Sequence, residues 1–165
     1  MSSSFDLGAV DRLTVGTVGP PGQRIFYLQA GAGAQVVSLR LEKTQVAALV
    51  AYLMAMLADL PAPGELPDDM ELVEPVVAEW VVGALGVTYD EADDRVLVLA
   101  EEMVEEGEEG ASTRLLATRE QIAALAAHGA EVVASGRPPC QLCGQPLDPE
   151  GHVCVRLNGH RSQSR

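Results

Sequence analysis

Apolar residues at Val46, Leu49, Val50, Leu53, Leu57 and Leu60 recur at three- and four-residue spacing, and Ile122, Leu125, Ala126, Val132 and Val133 repeat the pattern later in the chain. That period marks one face of an α-helix. Helices are therefore predicted over residues 43–60 and 119–135, each laying its stripe on a sheet face. Thr118 and Gln121 have capping-box spacing at the start of the second helix, and Gly136, Pro138 and Pro139 stop it. The first helix is apolar on nearly every side, because Tyr52, Met54 and Met56 lie off its stripe. Deep burial is the expected reason, with a homodimer contact as the alternative.

Shorter apolar runs, bounded by turn residues such as Gly19-Pro20-Pro21-Gly22, occupy residues 13–18, 24–30 and 35–41, and again 80–89, 95–104 and 112–117. They read as strands, so the element order is βββα twice. Short turns between successive strands make meanders, and only the helical returns cross over. The fold class predicted is α+β, a duplicated βββα unit with mostly antiparallel sheet and a small zinc-knuckle-like C-terminal tail. Residues 1–136 form the core, with one repeat over about 12–60 and the other over about 79–136, and residues 137–165 form the tail.

The repeat is visible in residues as well as in order. Val15-Gly16-Thr17-Val18-Gly19 resembles Val82-Gly83-Ala84-Leu85-Gly86, and Gln45-Val46-Ala47-Ala48-Leu49 matches Gln121-Ile122-Ala123-Ala124-Leu125, with Lys43 and Arg119 just ahead. The offset grows from 67 between the strand strings to 76 between the helix strings. Longer hairpin loops in the second half account for the difference, and an ancestral duplication is the reading they favour.

At 165 residues, 47% hydrophobic and 21% charged, the chain can bury one globular core. Its longest apolar run, residues 46–58, falls short of the roughly 18 residues that span a bilayer. The opening residues lack the basic and apolar regions of a signal peptide. A soluble, cytoplasmic protein is expected.

The net charge of −13 is unevenly placed. Residues 59–109 hold seventeen acids against Arg95 alone, for −16, and the rest carries seven acids and ten bases, for +3. Such a field repels phosphate backbones and anionic membranes, so neither DNA nor membrane is an expected partner. The string Glu101-Glu102-Met103-Val104-Glu105-Glu106-Gly107-Glu108-Glu109 lacks the alternating aspartates of a calcium loop. With Asp90, Asp93 and Asp94 it reads as solvated, edge-protecting charge at hairpin tips.

All three cysteines lie near the C-terminus, as Cys140-x-x-Cys143 followed by His152-x-Cys154. Four soft or borderline ligands within fifteen residues, on loops bent by Gly144, Pro146 and Gly151, suit a closed tetrahedral zinc site. His160 is a rival fourth ligand. A redox dithiol fits less well, since that motif opens a helix after a strand and here proline and glycine surround it. A closed sphere has no open position for substrate, so Zn2+ is expected to staple the tail.

Enzyme signatures are scarce. The chain has no Gly-x-Ser-x-Gly elbow, no phosphate-binding Gly-x-x-x-x-Gly-Lys-Ser/Thr loop and no dinucleotide fingerprint. His128 stands alone in the second helix, with no nucleophile placed beside it.

The residues at 16–30, 41–49 and 136–154, the Asp93-Asp94-Arg95 stretch and Asn158-Gly159-His160 together resemble an uncharacterised family of small actinobacterial proteins, a domain of unknown function. The resemblance covers essentially the whole chain. It implies a metal-binding tail on Cys140, Cys143, His152 and Cys154, and an actinobacterial source. The chain departs from it at Val155, where proline is expected.

Two functions follow as expectations. The first is a non-enzymatic, zinc-stabilised binding or adaptor protein whose acidic hairpins select a protein partner with a basic surface. The alternative is an enzyme acting on a phosphorylated small molecule at the junction of the repeats. That enzyme requires a pocket into which Arg24, Tyr27, Arg40, Lys43, Arg95, Arg114 or Arg119 converge. A zinc-tailed RNA binder ranks last, because the six aromatics do not interleave with arginines.

Overall fold

A computed structural model describes residues 2–135 together with Gln141 and Leu142. In chain order the elements are β1 (Phe5–Ala9), β2 (Arg12–Val18), β3 (Ile25–Ala32), β4 (Gln35–Leu41), α1 (Lys43–Ala58), β5 (Ala78–Asp90), β6 (Arg95–Glu102), β7 (Ser112–Ala117) and α2 (Arg119–Ala134). The fold is α+β, a mostly antiparallel mixed sheet with two helices.

The strands form one sheet in the order β1-β7-β6-β5-β4-β3-β2. Only β1–β7 and β4–β5 are parallel. The chain between β1 and β2 is just Val10 and Asp11, yet these strands lie at opposite ends of that order. Val10 N–H donates to Leu116 O at 3.0 Å and Asp11 N–H to Gly31 O at 2.7 Å. One kinked stretch thus bridges both ends of the sheet and closes it on itself. β1 is the element the periodicity missed. It is five residues long, carries Gly8 at φ 63°, and is fixed by a parallel partner more than a hundred residues away.

Closure turns alternate side chains inward. Leu28, Val37 and Leu39 of β3 and β4 meet Val98 and Leu115 of β6 and β7 around a void of about 10 Å³. The helices extend the same core. Val46, Leu49, Val50 and Leu53 are the buried residues of α1, while Ile122, Leu125, Ala126 and Val132 are buried in α2. Each fully buried Leu or Ile contributes about 1.5–3 kcal/mol.

Both helices start with a capping box. Thr118 accepts from Gln121 N–H while Gln121 Oε1 accepts from Thr118 N–H, and Glu42 with Gln45 does the same for α1. Gln45 Nε2 also donates to Val82 O at 3.0 Å, and Gln121 Nε2 to Val10 O at 2.8 Å. Each glutamine thereby ties its helix to the stretch that runs parallel to the preceding strand.

Deep burial of the off-stripe residues of α1 is corrected by the structure. Met56 packs on the core, but Tyr52 and Met54 are 54% and 58% exposed. They flank the buried stripe of α1 on opposite sides. The two helices pack differently on the sheet. α2 lies directly on β2, where Gly129 faces Val15 and Val50, whereas α1 has no comparable packing on β5.

Residues 59–77, between α1 and β5, cover the outer face of β2 and β3. Thr14 Oγ1 donates to Met70 O at 2.6 Å. Gln29, 2% exposed, donates to Val73 O and Ser38 Oγ and accepts from Val73 N–H. Gly16 leaves room for Leu72, whose Cγ would lie 2.7 Å from a Cβ there. No described helix is long and apolar enough to cross a membrane.

Candidate functional site

β5 is thirteen residues long, but β4 pairs only with its start, through Ser38 opposite Ala78 and Arg40 opposite Val81. From Ala84 onward its pairing is with β6. Along residues 83–88 the other edge of β5 faces α1 across a groove of about 530 Å³, walled on the helix side by Gln45, Ala48, Leu49 and Tyr52. Tyr52 Oη donates to Val87 O at 3.3 Å across this groove. Main-chain groups alternate sides along a strand, so Leu85 and Tyr89 present theirs on the same edge as Val87.

The floor of the groove is small and uncharged. Gly83, Ala84 and Gly86 contribute no bulk, and a Cβ at Gly86 would meet nothing within 4 Å. Leu85 and Val87 are packed against the core yet remain partly open. Acidic chain borders both ends. Asp90, Glu91 and Asp93 follow β5 at one, while Glu101 lies opposite Ala84 and Met103 against Gly83 at the other.

A second cluster sits where the β5–β6 hairpin meets α2. Arg119 donates through Nε to Asp94 Oδ1 at 2.9 Å and through Nη2 to Oδ2 at 3.2 Å, and Nη1 reaches the carbonyls of Pro61 and Ala62. Tyr89 Oη donates to the same carboxylate at 2.8 Å. The Arg119 guanidinium, then the Tyr89 hydroxyl, hold Asp94 below the ordinary carboxylate range. The carboxylate raises Arg119 and Tyr89 in return. Glu120 is lowered chiefly by accepting Gly64 N–H at 2.6 Å. These groups tie the start of residues 59–77 to α2 and the hairpin, a fastening role that engages all three guanidinium nitrogens of Arg119.

The cations proposed for phosphate recognition do not converge. Arg24 bonds Val132 O and Ser135 Oγ at the end of α2 and stacks over Phe26. Arg95 bonds Asp94 O, Arg114 lies 3.8 Å from Asp6, and Arg119 is held by Asp94. Arg40 and Lys43 are exposed and Tyr27 half-buried. None of the seven lines the α1–β5 groove. His128 borders a shallow cleft against residues 66–71, with Glu131 at 3.9 Å.

Among the described residues no group of three His, Cys, Asp or Glu could hold a metal ion. The proposed ligands Cys140, Cys143, His152 and Cys154, and the rival His160, lie outside the described residues. The groove was not foreseen. Its one trace in the sequence is the uncharged run at residues 83–88 inside the most acidic part of the chain, joined with Tyr52 off the helix stripe.

Residues 5–154 match the model of a family described as a protein of unknown function, DUF3090. That span holds all nine elements of the described residues and reaches Cys154. No curated protein and no solved structure matches the chain.

Proposed function

The chain belongs to the DUF3090 family, and we propose that it is a non-enzymatic binding or adaptor protein whose acidic core engages a protein partner with a basic surface. The α1–β5 groove carries this reading. Among the described residues, Tyr52 is the single titratable side chain along its walls, and the remainder is apolar side chain, amide, hydroxyl and strand backbone. Such a lining can bind, but it supplies no pair of groups for proton transfer or nucleophilic attack. The alternative enzyme lacks support, because four of its candidate cations are engaged in holding the fold.

The tail of residues 137–165 is the zinc-stabilised part of this proposal, with Cys140, Cys143, His152 and Cys154 as ligands. Three thiolates and an imidazole have the chemistry of a closed structural sphere. Zinc binding would supply on the order of 10 kcal/mol of folding free energy to a segment poor in apolar residues. An ancestral duplication of the βββα unit is supported by the paired capping boxes and by the matching bonds from Gln45 to Val82 and from Gln121 to Val10.

Elemental analysis of tag-free protein, with Cys143→Ser as control, tests the metal. About one zinc per chain, lost in the variant while the core stays folded, is expected, and metal-free protein with intact thiols sinks the zinc claim. Cross-linking of the zinc-loaded chain in its native extract tests the binding role. Protein partners joined to the acidic hairpins support it, whereas a co-purifying phosphorylated small molecule with no protein partner overturns it.

A further inference from the structure

We infer that the open edge of β5 takes up an extended, basic peptide segment as an added strand beneath α1. The inference rests on the binding role proposed above and gives that role a place and a partner chemistry.

Three observations converge on it. The first is the edge itself. Past Val81, β5 has lost β4 as a neighbour, so the main-chain groups of Leu85 and Val87 face the groove, where the Tyr52 hydroxyl already meets the Val87 carbonyl. Sheet edges are normally blunted by lysine, proline or a covering element, but residues 83–88, Gly-Ala-Leu-Gly-Val-Thr, carry no charge and no proline. The second is room. Six strand residues extend about 20 Å, the groove holds about 530 Å³, and the space around Gly86 is empty. An incoming strand can approach the β5 backbone without displacing a side chain of its floor.

The third is charge. The groove is neutral, but its ends are bordered by Asp90, Glu91 and Asp93 and by the acidic stretch from Glu101 onward. A segment with uncharged residues between flanking lysines or arginines satisfies both parts at once. Backbone bonds to Leu85 and Val87 give affinity, alternate side chains rest against Leu49 and Tyr52, and the flanking cations meet the acidic tips. An acidic segment would pay for the same backbone bonds with repulsion at both ends.

The test uses the full zinc-loaded chain and acetylated, fluorescent octapeptides with four central residues of alternating valine and threonine, flanked on each side by two lysines or by two glutamates. Anisotropy reads affinity, and amide hydrogen exchange reads the site. The lysine peptide is expected to bind at least tenfold more tightly than the glutamate peptide and to slow exchange at Leu85 and Val87 at least tenfold. Gly86→Lys, placed where the structure has open space, is expected to reduce that binding at least tenfold with thermal stability unchanged; Ala84→Lys is the second variant should the first fail to fold. Equal binding of the two peptides overturns the charge argument. Binding that leaves Leu85 and Val87 unprotected overturns the site. If those amides are instead protected by concentration-dependent dimerisation, or by the chain's own residues after 135 until these are removed, a second copy or the tail is the occupant and the peptide proposal falls. Should no peptide bind while cross-linking still joins a basic protein elsewhere on the acidic surface, the site fails and the binding role stands.

Discussion

Replacing Thr113 by valine is expected to make this protein more stable, the reverse of most core substitutions. Thr113 lies in β7, is 2% exposed, and its hydroxyl has no hydrogen-bond partner among the described residues. The void beside it, of about 10 Å³, is lined otherwise by apolar side chains of β3, β4, β6 and β7. A buried water needs two to four polar partners, and Thr113 is the one polar side chain this void offers. An unpaired buried hydroxyl costs about 1–3 kcal/mol. Valine has the same shape and branching, keeps the strand preference, and replaces an orphan oxygen by a methyl. A gain of about 1 kcal/mol follows, equivalent to roughly 2–4 °C in Tm for a domain of this size. Urea titration of both proteins reads it as a higher midpoint at unchanged slope. A loss of about 1 kcal/mol or more would refute the reasoning, because it would mean that the hydroxyl is bonded and the interior between β3–β4 and β6–β7 is not dry.

Gln29→Met removes the side chain that satisfies both main-chain groups of Val73. It should cost about 1–3 kcal/mol and speed exchange at the Val73 amide, and an unchanged amide would show that residues 59–77 are held without it. Gly16→Ala places a Cβ 2.7 Å from Leu72 Cγ and should cost about 1–3 kcal/mol as overpacking. Adding Leu72→Ala to the same chain should return most of that, and strictly additive effects in the cycle would contradict the contact. Asp94, held low by Arg119 and Tyr89, adds stability that is present above the unfolded carboxylate value of about 3.9 and is lost as pH falls through its depressed folded value. Asp94→Asn should therefore lower stability at neutral pH and flatten the acid limb of the stability curve, and an acid limb identical to the parent's would rule the pairing out.

Much of the α+β core is legible because its information is local. The stripes of both helices, the Thr118–Gln121 box and six of the seven strands are written in spacings of two to four residues. What could not be read depends on partners distant in sequence. β1 exists through β7, sheet closure through the kink at Val10 and Asp11, and the covering of β2 and β3 through Gln29 and Thr14 reaching residues 70–73. The exposure of Tyr52 and Met54 belongs to the same class, since apolar composition says that a face wants a neighbour but not whether the chain supplies one. The α1–β5 groove was hidden for the same reason, because it is a gap between two elements that each look ordinary alone.

That gap marks a difference between the two halves of the chain. Aligning Gln45–Leu49 of α1 with Gln121–Leu125 of α2 sets Leu53 against Gly129, and aligning the two strand strings sets Val82 against Val15. At Gly129 a Cβ would lie 2.7 Å from Val50 Cγ2 of α1 and 3.4 Å from Val15 Cγ2 of β2, so the absence of a side chain is what lets α2 pack closely on α1 above β2. At the matching place in α1 stands Leu53, fully buried. α2 packs directly on β2, whereas α1 has no comparable packing on β5, and a groove remains along residues 83–88. Under the duplication proposed here, one helix kept its contact with the strand of the other half, and its counterpart left that strand free to bind.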